Sequence, residues 1–249
     1  MTETALPMIG IVTPNAQGAL QPEAREIFSG RINAVTKGIN VEHLSLEGYT
    51  AALARMPEAV DRLVGGGSQG IVVNGTSLSF AFGRKAHDNL VAQVEERSGL
   101  PTTTMAASLV YALKELGAKN VVLATAYDSS ISDLLSEFLS THDIASQLGA
   151  CLGIVENAKL RSLGAQDIVE LVVRAAEGRK MDAIVVSCGN LRTIPLTNML
   201  EDRLGVPVVS SALVGVWGAL RLAGVDTRVP GAGRLFELNE PGKDLRATV

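Results

Sequence analysis

Metal ligands are scarce in this chain, and so is any means of cross-linking it. Its 249 residues include two cysteines, Cys151 and Cys188, and three histidines, His43, His87 and His142. The cysteines form neither a metal spacing nor a disulfide framework. The histidines are far apart and lack a histidine or carboxylate partner at ligand spacing. No apolar run approaches the roughly 20 residues of a membrane helix. The leading MTETALPMIG has neither a basic n-region nor an apolar h-region. Lysine and arginine are scattered over a chain of net charge -4, which gives no basic stripe for nucleic acid or an anionic membrane. Gly-x-Ser-x-Gly is absent, and no GxGxxG follows the first strand. These absences set the expectation of a cytoplasmic protein without metal or cofactor. Nucleic acid and membrane drop out as partners, and a monomer or weak homo-oligomer is expected.

What is present is alternation. Short apolar runs at Met8–Thr13, Val41–Leu46, Gly70–Val73, Asn120–Ala124, Ala183–Val186 and Val206–Val209 read as buried strands. Amphipathic stretches at 51–64, 85–98, 131–141, 166–177 and 197–204 read as helices between them. That order implies an α/β fold with parallel sheets flanked by helices. The chain also echoes itself. Gly70-Ile71-Val72-Val73-Asn74-Gly75 leads through a helix to Gly99-Leu100-Pro101. Ile184-Val185-Val186-Ser187-Cys188-Gly189 leads through another to Gly205-Val206-Pro207. Every doubly wound sheet repeats itself to this extent; the sharper reading is two similar Rossmann-like lobes facing across a cleft. Residues 1–118 with 223–249 would form the first lobe and 119–222 the second. The last ten or so residues read as an exposed end.

Gly65-Gly66-Gly67-Ser68-Gln69-Gly70 ends a helix and enters a strand, the reverse of a phosphate loop, so it reads as a helix C-terminal turn. The turn after Val73 is better placed, because ligands in open α/β sheets sit at the carboxyl ends of strands. Gly75 permits close backbone approach. Thr76 and Ser77 either hold a carboxylate or merely cap the next helix. Cys188 occupies the corresponding strand end in the other half, where a thiol is more often reactive than packed. Cys151 reads as a packing residue. His43, near Tyr49, could line the cleft, whereas His87 and His142 read as solvated helix residues.

These residues match a known pattern. Gly75-Thr76-Ser77-Leu78-Ser79-Phe80, Leu100-Pro101-Thr102-Thr103-Thr104-Met105, Leu123-Ala124-Thr125-Ala126-Tyr127, Ser187-Cys188-Gly189 and Val206-Pro207-Val208-Val209-Ser210-Ser211 carry the likeness. Trp217, Arg221-Leu222-Ala223-Gly224 and the stretch from Gly231 to Phe236 extend it. Along nearly its whole length the chain resembles the aspartate/glutamate racemase superfamily, and within it the arylmalonate decarboxylases. Racemases of that superfamily use two facing cysteines, one per lobe. Here Gly75 stands at the first position and only Cys188 remains. One thiol can still protonate a carbanion produced by loss of CO2.

The resemblance implies cofactor-independent decarboxylation of α-aryl- or alkenyl-substituted malonates to a chiral monoacid. Thr76, Ser77, Tyr127 and the Gly189 backbone would form a dioxyanion hole for one carboxylate. Pro14, Val41, Leu44, Tyr49, Gly75, Asn157 and Leu160 would line the pocket from which the other leaves. Cys188 would protonate the enediolate. Three positions depart from the pattern: Asn15 replaces a second proline, Asn190 a glycine, and Asn157 an aliphatic residue. An amide at 157 would solvate the leaving carboxylate. A racemase with another group in place of the missing cysteine, and an idle carboxylate binder, are the alternatives.

Overall fold

The computed structural model describes residues 5–238, so the end expected to be exposed lies mostly outside the described residues. The first half runs β1 (Met8–Thr13), α1 (Pro22–Phe28), β2 (Asn33–Gly38), α2 (Leu46–Leu53) and α3 (Met56–Gly65). It continues with β3 (Gly70–Val73), α4 (Thr76–Phe80), α5 (Gly83–Ser98), β4 (Thr102–Thr104) and α6 (Met105–Glu115). The second half runs β5 (Asn120–Thr125), α7 (Ser129–Ser140), β6 (Ala145–Cys151), α8 (Ala165–Ala176) and β7 (Ala183–Ser187). It closes with α9 (Thr197–Leu204), β8 (Val208–Ser210) and α10 (Ser211–Leu222).

Each half builds a four-stranded parallel sheet, and the two share one topology: β2-β1-β3-β4 and β6-β5-β7-β8. The inner strands β1, β3, β5 and β7 are buried almost throughout, which is why they read as unbroken apolar runs. The outer strands β2 and β6 are largely exposed or half-buried, and their mixed sequences NAVTKG and ASQLGAC conceal them. The equivalence of halves extends to their last helices. Thr104 ends β4 and caps α6 by accepting from Ala107 N; Ser210 ends β8 and caps α10 by accepting from Leu213 N.

Helices α6 and α10 pack on each other and on both β4 and β8, which joins the sheets. Their approach is close: a Cβ on Gly218 of α10 would collide with Ser108 Oγ of α6. On its buried end α10 carries Trp217, with the Arg221 guanidinium 4.6 Å from the Trp217 ring and 5.3 Å from that of Tyr111.

Several expectations need correction. Residues 41–46 are not a strand; they cross to the other half, where Leu44 N donates to Val155 O and Asn157 N to Glu42 O. An extended interlobe strap and a sheet strand carry the same apolar pattern. The helix expected over 51–64 is two, broken at Ala54 and Arg55 ahead of Pro57. His87 and His142 are buried, not solvated: both rings pack edge-on against Phe138. His87 also bonds Thr104 Oγ1 at 2.9 Å. Burial, with Arg84 and Lys114 nearby, pushes His142 down to about 4. His43 is exposed and bridges to Glu156. Among the described residues no helix is long and apolar enough to cross a membrane. Nor do three His, Cys, Asp or Glu side chains there gather as a metal ion would need.

Candidate active site

Parallel strands put their carboxyl ends, and the turns that follow, on one side of a sheet. Here the turns after β1, β3, β5 and β7 meet between the halves around a cavity of about 20 Å3. Pro14 comes from the first turn, Gly75, Thr76 and Ser77 from the second, Tyr127 from the third, and Cys188 and Gly189 from the fourth. Val41 and Leu44 of the strap, Tyr49 of α2 and Asn157 complete the expected set. Leu160 is buried but does not line the cavity. Cys151, half-buried at the end of β6, is not on the wall either.

The turn after β3 does not use its hydroxyls as caps. Gly75 occupies the N-cap of α4 without any side-chain cap bond, at φ +119° and ψ +90°, and Thr76 and Ser77 are the first helical residues. Thr76 Oγ1 donates to Ser211 Oγ at 2.5 Å, with Met105 Sδ at 3.1 Å. Ser211 Oγ in turn accepts from Cys188 N at 3.1 Å. One buried hydroxyl at the start of α10 therefore ties the β3 turn to the thiol-bearing β7 turn.

Cys188 is 4% exposed. Burial pushes its thiol up to about 12, against the partial opposition of the Asn190 N–H and the Tyr127 hydroxyl. At neutral pH it is a thiol and not a thiolate, so it can give a proton and has little nucleophilic character. Burial likewise raises Tyr49 and Tyr127, leaving both as neutral phenols able to donate. Ser187 Oγ lies 3.4 Å from Tyr127 Oη. The Tyr49 hydroxyl is near Ser77, which tempers its rise, but holds no hydrogen-bond partner.

Two of the three asparagines that depart from the resemblance are partners, while Asn15 bonds the Ala19 backbone. Asn190 Nδ2 donates to Asn157 Oδ1 at 2.6 Å, and Asn157 Nδ2 donates to Val41 O at 2.7 Å. The amide of Asn157 is thus taken up at both ends, across the lobes. Further along the mouth Gln21 Nε2 donates to Gly189 O at 2.6 Å, and Arg192 pairs with Glu23. A cavity of this size holds little more than one water. Sequence reasoning missed Ser211, Met105, Leu78 and Gln21 as neighbours of the site. Ser211 had one signal: it follows the last strand as Thr76 nearly follows β3.

Residues 9–236 match the family model for arylmalonate decarboxylase. The chain belongs to the arylmalonate decarboxylase family. It is 34% identical to the arylmalonate decarboxylase of Bordetella bronchiseptica, over 95% of this chain and 99% of that one. A crystal structure of a liganded double mutant of arylmalonate decarboxylase superposes with a TM-score of 0.89 at 33% identity, covering 93% of this chain and 99% of the other. A maleate isomerase of Nocardia farcinica is 24% identical over 92% of this chain and 94% of its own. The two-lobe α/β fold is shared by decarboxylase and maleate isomerase structures.

Proposed function

We propose that this protein decarboxylates α-substituted malonates with no cofactor, leaving a monocarboxylic acid of one handedness. The observation that carries the reading is one buried, protonated thiol on the wall of a mostly apolar cavity that Gly75 also lines. One substrate carboxylate sits against the hydroxyls of Thr76, Ser77 and Tyr127 and the Gly189 backbone. The other is pressed against Val41, Leu44 and Leu78, where its charge is poorly solvated. Its bond to the α-carbon breaks, CO2 leaves, and the electron pair spreads into the retained carboxylate as an enediolate. Donors already in position hold that charge without the reorganisation water would need. Cys188 Sγ–H gives its proton to the α-carbon on the one face it reaches, and water restores the thiol. Each CO2 released therefore consumes one solvent proton.

Asn157 weighs less against this reading than its sequence position suggests. With its oxygen on Asn190 and its nitrogen on Val41 O, it is not free to turn its amide towards a departing carboxylate. A racemase needs a second acid–base group on the Gly75 side. The titratable groups on the wall are Cys188 and two tyrosines raised above their ordinary value, which disfavours that alternative. Incubation with phenylmalonate while following CO2 tests the proposal. Release by the wild type and its loss in Cys188→Ser is the expected outcome; no release by the wild type refutes it.

A further inference from the structure

The hydroxyl of Thr76 enters the reaction with its hydrogen already engaged. Thr76 lines the reaction cavity, yet its Oγ1 donates to Ser211 Oγ at 2.5 Å, with Met105 Sδ at 3.1 Å. A carboxylate only accepts, so to hold one that hydrogen has to turn to the substrate. Thr76 Oγ1 then needs a new donor behind it. Its two neighbours hold equivalent places in the two halves: Met105 opens α6 after β4, and Ser211 opens α10 after β8. A thioether has no hydrogen to give; a serine hydroxyl has one.

Ser211 itself is 1% exposed and is not on the cavity wall. Its oxygen accepts the Cys188 N–H at 3.1 Å as well as the Thr76 hydroxyl. When Thr76 turns to the substrate, the Ser211 hydrogen takes over the same oxygen–oxygen contact, and the Cys188 N–H stays on Ser211 Oγ. No proton changes its oxygen; two hydroxyls rotate about their C–O bonds. All links then run one way, from the Cys188 N–H through Ser211 and Thr76 to the carboxylate. Hydrogen bonds aligned in this way polarise and strengthen one another. The gain grows with the negative charge at the end of the chain, so it is larger for the enediolate than for the carboxylate that precedes it.

We propose that Ser211 is a positioning residue for the decarboxylation: it hands a hydrogen bond to Thr76 whenever Thr76 gives its own to the substrate, and so sets the strength of that donor without touching the substrate. This rests on the proposed reading of Thr76 as a holder of the retained carboxylate. The neighbouring serine supplies a contrast. Ser210 Oγ accepts from Thr193 Oγ1 at 2.6 Å and from Leu213 N at 3.2 Å. Those bonds serve the loop after Cys188 and the start of α10, and neither involves Thr76.

A double-mutant cycle on phenylmalonate turnover tests the relay. Ser211→Ala should lower kcat about tenfold, the worth of one hydrogen bond, with KM little changed. Thr76→Val should lower it by about 10²–10³, and Ser211→Ala should cost little further in that background. Ser210→Ala is the control: any loss it causes should be the same in the wild type and in Thr76→Val. Ser211→Cys keeps the volume and weakens the donor, and it reads the same coupling where Ser211→Ala does not fold. An unchanged kcat in Ser211→Ala, or a loss that multiplies fully with that of Thr76→Val, overturns the proposal. Turnover by the wild type without coupling keeps the decarboxylase reading and drops the relay. Without turnover, the same cycle on phenylacetate affinity by calorimetry decides. A loss on Ser211→Ala that vanishes in Thr76→Val then keeps the relay and drops the decarboxylase reading, and its absence drops both.

Discussion

At the carboxyl end of β3 the chain turns through Asn74-Gly75-Thr76-Ser77. At the carboxyl end of β7, which holds the same place in the other sheet, it turns through Cys188-Gly189-Asn190. The first turn brings hydroxyls and no side chain at its pivot; the second brings a buried thiol and a backbone amide. They differ in backbone as well as in residue. Gly75 has φ +119°, a conformation that L side chains rarely adopt, so the first turn is shaped around the absence of a side chain. On the proposed reading the first turn brings two of the hydroxyls that hold the carboxylate and the second delivers the proton, and Ser211 ties the two turns together. A duplicated fold can thus divide one reaction between two equivalent loops.

The two turns diverge most at Cys188. Cys188→Ser should lower kcat by roughly 10²–10⁴-fold, the usual worth of a positioned general acid, while malonate affinity by calorimetry changes little. On the other side, Ser77→Ala should cost about 10²–10³ in kcat, as losing one oxyanion donor does. If the two variants gave the same kcat loss and the same loss of binding, the division of labour would be wrong.

Gly75→Cys makes the two turns alike. A second thiol opposite Cys188 should erode the optical purity of the product, read by chiral chromatography. It should also cost about 1–3 kcal/mol of stability, because a side chain must then occupy a strained backbone conformation. Leu78 crowds the same position, with its Cβ 3.2 Å from the new atom. Chemical denaturation measures that cost.

With pH the expected outcome is an absence of change. The reactive form of Cys188 is the protonated one, and burial has moved its loss up to about pH 12. A thiol with an ordinary value of ~8.5 would lose activity as pH rises through 8 to 9. Here kcat should stay flat across that range. A steady-state pH profile with a falling limb near 8.5 would mean that the thiol is far less buried during turnover.

Much of this is legible in the sequence, for identifiable reasons. The inner strands are buried on both faces, so IGIV, GIVV and AIVV announce themselves, and the turns that follow them carry the site. The strap from Val41 to Leu46 passes for a strand because crossing between lobes in extended form demands the same apolar residues. Partners far apart in the chain, 33 residues for Asn157 and Asn190 and 116 for Asn157 and Val41, leave no local trace. Asn157 and Asn190 each look like a flaw alone, and only in space does one amide satisfy the other. The buried histidines mislead for a similar reason: Phe138 of α7 covers the His87 ring from the other half and the His142 ring from its own.

Decarboxylation of 2-methyl-2-phenylmalonate in D2O, with chiral analysis of the 2-phenylpropionate formed, tests directly whether one positioned thiol protonates one face of the α-carbon. One deuterium at the α-carbon and a single enantiomer are expected from the wild type. A racemic product would overturn the division, because protonation would then come from solvent and not from Cys188.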